Sequence, residues 1–492
     1  MSEPKKQVDI CVSDPQADIL ESTAQRNLFH SGVGSGKTHC GGLVAADFVL
    51  NNPEVRGFIG ANTYSQLSKS TLNGMFKVWE ENFGWKRDVT FVSNKQPPSH
   101  FKKFGPQLDD YDHVISFENG ALLFTASLDN YKMIDGTEFA WAILDETKDT
   151  KEEAVREVIT ARMRQPGMWI DSRGVLCKNA SPGSTGFNPL YIFTSPAKTD
   201  WLSEWFDIPE YFEEINASIF SETDYFRKRK GDKMVVISST YHNKENLSEG
   251  YIERLIEDNK HNMQRVNMLI YGSPLAKTGG EYFPSFERLT HLKKLPIKWD
   301  FPVHLSFDFN RNPYMTCTMF QIWWEEERKT WVVYKFAEYC NESPRNYTEA
   351  LCEDIVETWS TLMKNGIYYY GDYSGKNGRT NSTEDDYDVI MRVLKPFLGS
   401  SSDKVITNKG LAKRKDFMNK ILAGGLPIEF IQNPELKNSV NEYEYLKEDP
   451  NGGKLKQLAT NPNTGVQYQK YGHIADSDEY MFTSAFEQFF NN

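Results

Sequence analysis

The pattern of apolar and polar positions divides the chain into two regions of different texture. In the first, a short segment that could be a strand (RNLFH, 26–30) leads into a glycine-rich turn, and residues 39–52 are typical of a helix that ends before Pro53. A second apolar run (FAWAIL, 139–144) is typical of a buried parallel strand. Strand, glycine-rich turn and helix in this order predict an α/β domain over residues 1–245.

The second region, residues 301–492, has a different order of elements. Three consecutive strand candidates cover 303–310, 313–324 and 329–340, and a helix and a fourth strand, which ends near 372, follow them. Helices and strands then alternate, which is the order of an RNase H-like domain. Residues 246–300 combine helical stretches with a loop-rich segment and are predicted to be a linker region.

Composition limits the class of protein. Hydrophobic residues make up 39% and charged residues 25% of the 492, which is typical of a soluble globular chain. The six cysteines form no C-x-x-C pair, so we expect neither a zinc site nor a disulfide framework, and a reducing cytoplasm fits. No apolar run is long enough to predict a membrane span.

Charge gives weaker information about partners. The net charge of −12 argues mildly against a nucleic acid partner, although an acidic body can carry a local basic groove. The basic run RKRK at 227–230 could contact DNA, but a solvated loop is the favoured interpretation.

The glycine-rich turn, HSGVGSGKTHC at 30–40, has the composition of a phosphate-binding P-loop. Its backbone N–H groups could surround phosphates, and the loop residues concerned are Gly32, Gly34, Ser35 and Gly36. Lys37 would reach the β- and γ-phosphates, and the Thr38 hydroxyl would bind Mg²⁺. Ser31 stands where the usual pattern has its first glycine, and Val33 leaves the loop without a second positive charge.

A carboxylate pair follows the second apolar strand. Asp145 is expected at the carboxyl end of that strand, where it would hold the metal, and Glu146 would polarise the attacking water. An adjacent glutamate indicates an ATPase. The alternative, a strand that ends in two solvated acids, is less favoured once the pair is combined with the P-loop.

Three further side chains are weaker candidates. Gln16 could read the adenine edge with its amide, although a surface role is equally open. Arg162 and Arg164, on a predicted helix, could stabilise charge at the γ-phosphate, from this chain or from a neighbour. For each arginine, a place on a solvated helix face is about equally favoured.

Acidic residues in the second region lie at the ends of predicted strands or at the start of a predicted helix. Alternation along HLSFDFN places Asp308 on the face opposite Phe307, Asp372 ends the fourth strand, and Asp476 lies in the first turn of a C-terminal helix. Each alone would more commonly be a surface or capping residue. Together they could bind two divalent ions, Mg²⁺ or Mn²⁺, that cleave a phosphodiester. Alternative ligands nearby are His473, Asp478 and Glu479.

The order of these motifs resembles the large terminase subunit of tailed bacteriophages. The resemblance covers nearly the whole chain through GSGKT, AILDE, ARMR, NASPGSTGFN, SFDFN, YGDYSG and HIADSDEY. It implies an α/β fold with an N-terminal P-loop ATPase domain of the ASCE/RecA-like kind and an RNase H-like nuclease domain. It also implies the assigned roles for Lys37, Thr38, Asp145 and Glu146, for the three aspartates, and for Gln16 at the adenine.

The same resemblance implies function and partners. Family members use ATP to pump double-stranded DNA into a procapsid and cut concatemeric DNA. They assemble as a ring, usually of five, on the portal protein, receive DNA through a small terminase subunit, and act in the host cytoplasm without entering the mature virion. Two other interpretations remain open: a repair or restriction ATPase-nuclease, and a P-loop scaffold in which ATP only switches conformation.

Overall fold

The computed structural model describes residues 9–491 except 106, 135, 174, 178–179, 196–199, 275–276, 278, 377–383, 404–409 and 461–464. The chain forms two compact units, residues 1–278 and 279–492, and the predicted linker range of 246–300 is divided between them. Both units combine helices with a central sheet, which confirms the mixed α/β class.

The first unit is built on a nine-stranded sheet with the order β11-β12-β1-β10-β6-β2-β5-β4-β3. The strands from β12 to β5 in this order are parallel, and β11, β4 and β3 add antiparallel edges. The strands of the unit, including the small sheet β8-β7-β9, are β1 Arg26–Ser31, β2 Arg56–Ala61, β3 Phe91–Ser93, β4 Val114–Phe117, β5 Leu122–Ser127, β6 Trp141–Asp145, β7 Trp169–Ile170, β8 Leu176–Cys177, β9 Thr185–Gly186, β10 Leu190–Thr194, β11 Phe226–Lys230 and β12 Lys233–Ser238.

Helices cover both faces of this sheet, and two apolar clusters fill the space beneath them. Because the parallel strands are covered on both faces, β1, β6 and β10 are almost entirely buried, and the sequences of β6 and β10 are accordingly almost continuously apolar. The α-helices of the unit are α1 Asp14–Leu20, α2 Lys37–Asn51, α3 Tyr64–Gln66, α4 Leu72–Phe83, α5 Thr160–Arg162, α6 Asp200–Trp205, α7 Phe212–Ile219, α8 Tyr251–Asn259 and α9 Met263–Leu269.

Shorter helical turns link these elements. Two of them are π-helical, Leu67–Thr71 and Ala154–Ile159, and a segment of 3₁₀ type covers Thr240–Asn246. A π-helical turn inserts an extra residue into a helix and is common near functional sites, because it re-aims the side chains on either side.

The basic run at 227–230 lies in edge strand β11, so the favoured interpretation of a solvated loop was wrong. Its charges are compensated within the unit: Arg227 pairs with Asp18 at 2.5 Å, and Lys228 pairs with Glu214 at 2.8 Å. Charged side chains on an edge strand also discourage pairing with another sheet.

The second unit is built on a six-stranded sheet with the order β17-β16-β13-β14-β15-β18. Strands β13, β14 and β15 are antiparallel neighbours, as expected from three consecutive strand patterns, and the other three strands join in parallel. The strands, including the separate hairpin β19-β20, are β13 Val303–Asp308, β14 Tyr314–Glu325, β15 Thr330–Glu342, β16 Ile367–Gly371, β17 Leu398–Asp403, β18 Ile428–Gln432, β19 Leu458–Thr460 and β20 Gln467–Gln469.

Seven α-helices among the described residues complete this unit, and apolar clusters lie on both faces of the sheet. The helices are α10 Arg288–His291, α11 Thr348–Met363, α12 Asp386–Leu394, α13 Leu411–Leu422, α14 Lys437–Tyr445, α15 His473–Ala485 and α16 Glu487–Phe490. Among the described residues of both units, no helix is long and apolar enough to cross a bilayer.

Helix α15 is attached to the sheet by polar contacts as well as by apolar packing. Ser477 exchanges hydrogen bonds with Ser306 of β13, donating to its backbone carbonyl at 2.7 Å. One residue further, Asp478 forms an ion pair of 2.5 Å with Lys335 of β15, and both side chains have no solvent exposure. These contacts fix the position of α15 over the ends of the central strands.

Removal of the Lys335 ammonium group should destabilise the second unit strongly. Lys335→Met leaves the Asp478 carboxylate buried without its counter-ion, and we expect the free energy of unfolding to fall by about 3–5 kcal/mol. Urea unfolding of the full chain, followed for the transition of this unit, measures the change. The double variant Lys335→Met/Asp478→Asn should recover part of the loss, because neither charge then remains buried.

The matched control is Arg328→Ala, which removes a pair with Glu429 in which both side chains are partly exposed. Such a pair contributes only about 0–1 kcal/mol. A Lys335→Met variant no less stable than the control would contradict the assigned importance of the buried pair.

Candidate functional sites

The glycine-rich loop (residues 31–36) joins the end of β1 to the start of α2. The hydroxyl groups of Ser31 and Ser35 lie 2.5 Å apart, so the serine in place of the usual first glycine bridges the loop internally. Gly34 and Gly36 have φ values of 77° and 84°, which favour glycine over residues with a side chain. The sequence around the loop thus forms the predicted strand, turn and helix.

Side chains from outside the loop hold its backbone carbonyl groups. Thr240 Oγ1 donates a hydrogen bond to the carbonyl oxygen of Val33 at 2.8 Å. Asn243 Nδ2 donates to that of Gly34 at 2.7 Å, and Gln16 Nε2 donates to that of Gly36 at 3.0 Å. A Cβ atom at Gly32 would lie 2.4 Å from the carbonyl oxygen of Ile270, so glycine is required by close backbone approach. The loop is therefore held in shape by the protein around it.

Gln16, the candidate adenine reader, is buried at the start of α1. Its Nε2 donates to the carbonyl oxygen of Gly36, and its Oε1 accepts a hydrogen bond of 3.0 Å from the backbone N–H of Ser13. Both ends of the amide are therefore engaged within the chain, and one N–H of the amide is left for any further partner.

Lys37 lies at the first position of α2 with its side chain buried. Its ammonium group donates to the carbonyl oxygens of Ser31 at 3.2 Å and Gly32 at 3.0 Å. Burial lowers the pKa of Lys37, and the carboxylates of Glu146 and Asp145 oppose this shift. The structure therefore brings the lysine close to both predicted acids.

Asp145 ends β6, and one of its carboxylate oxygens accepts hydrogen bonds from two hydroxyl groups. Thr38 Oγ1 donates to its Oδ2 at 3.3 Å and Thr71 Oγ1 at 2.8 Å. The other oxygen, Oδ1, is buried and has no hydrogen-bond partner among the described residues. Burial raises the pKa of Asp145, and the Thr71 hydrogen bond opposes the rise. A divalent cation is the kind of partner that an oriented, unsatisfied carboxylate oxygen fits.

Thr71 is a site residue that the sequence analysis missed. It is the last residue of the π-helical turn Leu67–Thr71, which follows β2, and it is 1% exposed. Strand β2 is the neighbour of β6 in the sheet, so the turn leads Thr71 towards Asp145. No sequence signal marks this residue, because the contact depends on the order of strands and on the extra residue in the turn.

Glu146 adopts a left-handed backbone conformation with φ of 51°, which is unfavourable for a residue with a side chain. Ser195 Oγ, just after the end of β10, donates to its Oε1 at 2.5 Å. Oε2 is buried without a hydrogen-bond partner in the described part of the chain. Ser195 was also missed, although a hydroxyl residue directly after an apolar strand is a signal that could have found it.

Arg162 and Arg164 are not near the glycine-rich loop of their own chain. The carbonyl oxygen of Arg162 accepts a hydrogen bond from the backbone N–H of Phe139, and Arg164 pairs with Glu138 at 2.6 Å. Residues 138 and 139 precede β6, whereas Asp145 ends it. The length of that strand, about 13 Å, therefore separates the two arginines from the acids.

In the second unit, Asp308 and Asp372 lie side by side. Asp308 ends β13, Asp372 follows β16, and the two strands are parallel with Phe307 opposite Gly371. Ser374 Oγ donates to Asp372 Oδ1 at 2.6 Å. Burial raises the pKa of Asp308, a hydrogen bond from His473 opposes the rise, and the charges of Asp476 and Asp372 add to it. The predicted pair of strand ends is therefore assembled.

His473 begins α15 and contacts acceptors through both ring nitrogens. Nδ1 lies 3.1 Å from Asp308 Oδ2, and Nε2 lies 3.1 Å from the carbonyl oxygen of Gln469. Burial lowers the pKa of His473, but the hydrogen bond to Asp308 and the charges of Asp308 and Glu442 together raise it overall. The imidazole thus partly neutralises Asp308.

Asp476 lies in the first turn of α15, as predicted, and its side chain is paired with two cations. Lys454 Nζ is 2.8 Å and Arg414 Nη2 is 3.1 Å from its Oδ1. Of the alternative ligands, Glu479 contacts the same two cations, whereas Asp478 faces Lys335.

The carboxylates of the second unit have the donor chemistry of a divalent-metal site. Oxygen ligands of this kind suit Mg²⁺ and Mn²⁺. Within the described residues, however, no three His, Cys, Asp or Glu side chains already converge as a metal site. Asp308 and Asp372 are adjacent, and Asp476 is held by its cations.

Comparison with known proteins identifies the class and then the family. Both units are α/β, and each carries carboxylates at the ends of its central strands. A family model described as "Terminase large subunit, T4likevirus-type, N-terminal" matches residues 28–290. The chain belongs to the large terminase subunit family. A comparison with curated protein sequences found no match.

Solved structures similar to this chain include three other large terminases. The large terminase of a thermophilic bacteriophage, in complex with ADP, is 15% identical with a TM-score of 0.37 and coverage of 96% of this chain and 99% of that chain. The ATPase domain of the Thermus phage P74-26 large terminase is 15% identical with a TM-score of 0.34, covering 52% of this chain and 92% of that chain. The P22 large terminase nuclease domain is 13% identical with a TM-score of 0.29, covering 42% and 93% respectively.

Thr71→Val should weaken Mg²⁺-dependent nucleotide binding by about 10- to 100-fold, the usual effect of losing a partner that orients a metal ligand. Valine keeps the volume of threonine but removes the hydroxyl group that fixes Asp145. Titration of a fluorescent ATP analogue with and without Mg²⁺ measures the effect, which should disappear in the absence of metal. Ser70→Ala, at the exposed neighbouring residue, should bind like the wild type. Equal metal dependence in both variants would contradict the role given to Thr71.

Proposed function

We propose that this protein is the motor subunit of a phage DNA-packaging machine. It hydrolyses ATP to move double-stranded DNA into a procapsid, and it cleaves concatemeric DNA with a divalent-metal nuclease site. Membership of the large terminase family supports this function. The observation that carries the proposal is the arrangement at Asp145, where Thr38, in the first turn of α2, and Thr71 orient one carboxylate oxygen.

In the ATPase unit, the proposed fold is a P-loop domain of the ASCE/RecA-like kind. The N–H groups of the glycine-rich loop and the ammonium group of Lys37 would bind the phosphates. Thr38 and Asp145 would hold Mg²⁺, which neutralises charge on the phosphates. Glu146, oriented by Ser195, would polarise the attacking water, and Gln16 would offer its remaining N–H to the adenine.

The position of the arginines supports catalysis between subunits. Arg162 and Arg164 lie near the start of β6 and Asp145 lies at its other end, which favours an arginine from a neighbouring subunit over one from the same chain. An arginine contributed by a neighbouring copy fits a ring, usually of five in this family, in which one subunit completes the site of the next.

In the second unit, the proposed fold is RNase H-like and the proposed activity is endonuclease. Asp308, Asp372 and Asp476 would hold Mg²⁺ or Mn²⁺, which lowers the pKa of a bound water and stabilises the leaving oxygen. His473 would keep Asp308 oriented through its hydrogen bond. The expected partners are double-stranded DNA, the portal protein and the small terminase subunit, in the host cytoplasm.

Glu146→Gln should lower the rate of steady-state ATP hydrolysis by about 10²- to 10⁴-fold, while nucleotide binding is retained. Glutamine keeps the shape of the side chain and can still accept the Ser195 hydrogen bond, but it cannot polarise water as a carboxylate does. Phosphate release and nucleotide titration measure the two properties. Glu157→Gln, at an exposed glutamate, is the control and should hydrolyse ATP normally. Unchanged hydrolysis in Glu146→Gln would remove this residue from the mechanism.

Asp372→Ala should abolish cleavage of supercoiled plasmid in Mg²⁺ or Mn²⁺ while ATP hydrolysis survives. The wild type should nick and linearise DNA without regard to sequence. Cleavage should stop when EDTA is added, because the carboxylate site needs a divalent ion. Glu357→Ala, which removes an exposed carboxylate of α11, should cleave normally.

This measurement also separates the competing functions. Two results would favour a P-loop scaffold or a translocase without nuclease activity. One is that Asp372→Ala cleaves DNA as well as the wild type does, and the other is that the wild type cleaves nothing with either metal. A repair or restriction ATPase-nuclease would cleave DNA but would not package it into procapsids.

A further inference from the structure

Four charged side chains, three of them buried, form a connected group at the carboxylate site of the second unit. Arg414 of α13, Lys454 from the segment before β19, and Asp476 and Glu479 of α15 form what we call the charge quartet. Each cation contacts both acids: Lys454 Nζ is 2.8 Å from Asp476 and 3.4 Å from Glu479, and Arg414 is 3.1 Å and 3.2 Å from them. The quartet carries two positive and two negative charges and is neutral as a whole.

The four members differ in exposure. The side chain of Glu479 has no exposure, and those of Lys454 and Arg414 are 6% and 7% exposed, whereas that of Asp476 is 28% exposed. Glu479 also accepts a hydrogen bond of 2.9 Å from Tyr282. Asp476 is therefore the acid that solvent can reach, and Glu479 is the internal one.

Asp476 consequently faces two kinds of charge. Its field adds to that of Asp372 at Asp308, so it belongs electrostatically to the carboxylate site. The same side chain is compensated from behind by the two cations. A divalent ion that binds Asp476 must compete with charges that lie within about 3 Å and cannot diffuse away.

We propose that Lys454 and Arg414 are resident counter-cations of Asp476, so that Asp476 binds its divalent metal weakly, whereas Asp308 and Asp372 bind theirs tightly. When an ion binds Asp476, Glu479 is the only acid that still balances the two cations. One positive charge is then uncompensated beside the site. That charge would attract an anionic phosphodiester. The inference rests on the proposed nuclease function and assigns positioning roles to two residues outside the aspartate set.

The test is Mn²⁺ binding by the full-length chain, measured by electron paramagnetic resonance of the free ion in the absence of nucleotide. An Asp145→Asn background excludes the first unit. The parent should bind one Mn²⁺ tightly and a second weakly. Lys454→Gln, which leaves the quartet with a net negative charge, removes a positive charge that repels the ion, so it should tighten binding of the second ion by on the order of 10- to 100-fold and leave binding of the first unchanged.

Matched variants test whether charge is the cause. Lys454→Arg keeps the charge and should bind like the parent. Lys456→Gln, at an exposed lysine of the same segment, should also be without effect. Arg414→Gln should tighten the second ion as Lys454→Gln does, and it serves as the second variant if Lys454→Gln does not fold.

The outcomes separate this inference from the proposed function. Asp476→Asn should remove the weak ion alone, and binding of both ions by Asp476→Asn as in the parent would mean that Asp476 is not a ligand. Loss of the weak ion in Asp476→Asn, with no tightening in Lys454→Gln and Arg414→Gln, would overturn only the counter-cation role. Weaker binding in those two variants would also overturn it and would leave them as structural supports of Asp476.

Discussion

Charge that is buried at the ends of central strands must be compensated nearby, and this constraint organises both units. In the first unit, Asp145 is compensated by two threonine hydroxyl groups and by the field of Lys37. In the second unit, His473 compensates Asp308, and two cations compensate Asp476. An unpaired buried charge is costly, so each acid determines which side chains the surrounding elements must supply.

The sequence predicted the elements that depend on local pattern. The loop before Lys37 was recognisable by its closely spaced glycines, and the strand that ends at Asp145 was recognisable by an apolar run with an acidic residue at its end. Asp308 and Asp372 were predicted for the same reason, and the parallel pairing of β13 and β16 makes them neighbours. The start of α15 also follows its sequence signal, with Asp476 in the first turn.

The rest depended on contacts between distant segments, which a linear pattern does not contain. Thr71 reaches Asp145 across 74 positions of the chain, through a π-helical turn that has no sequence signature. Arg414 and Asp476 are 62 positions apart. The basic run at 227–230 looked available for DNA because its acidic partners are not adjacent in the sequence. Asp18 lies in α1 and Glu214 lies in α7.

The strained conformation of Glu146 has an evolutionary consequence. At a φ of 51°, glycine would be adopted at lower conformational cost, by on the order of 1 kcal/mol. A change to glycine, which deletes the carboxylate, would therefore relieve backbone strain. Selection for stability alone would erode this position, and only selection for activity can maintain glutamate there. The residue proposed to polarise water is thus one at which activity and stability are traded against each other.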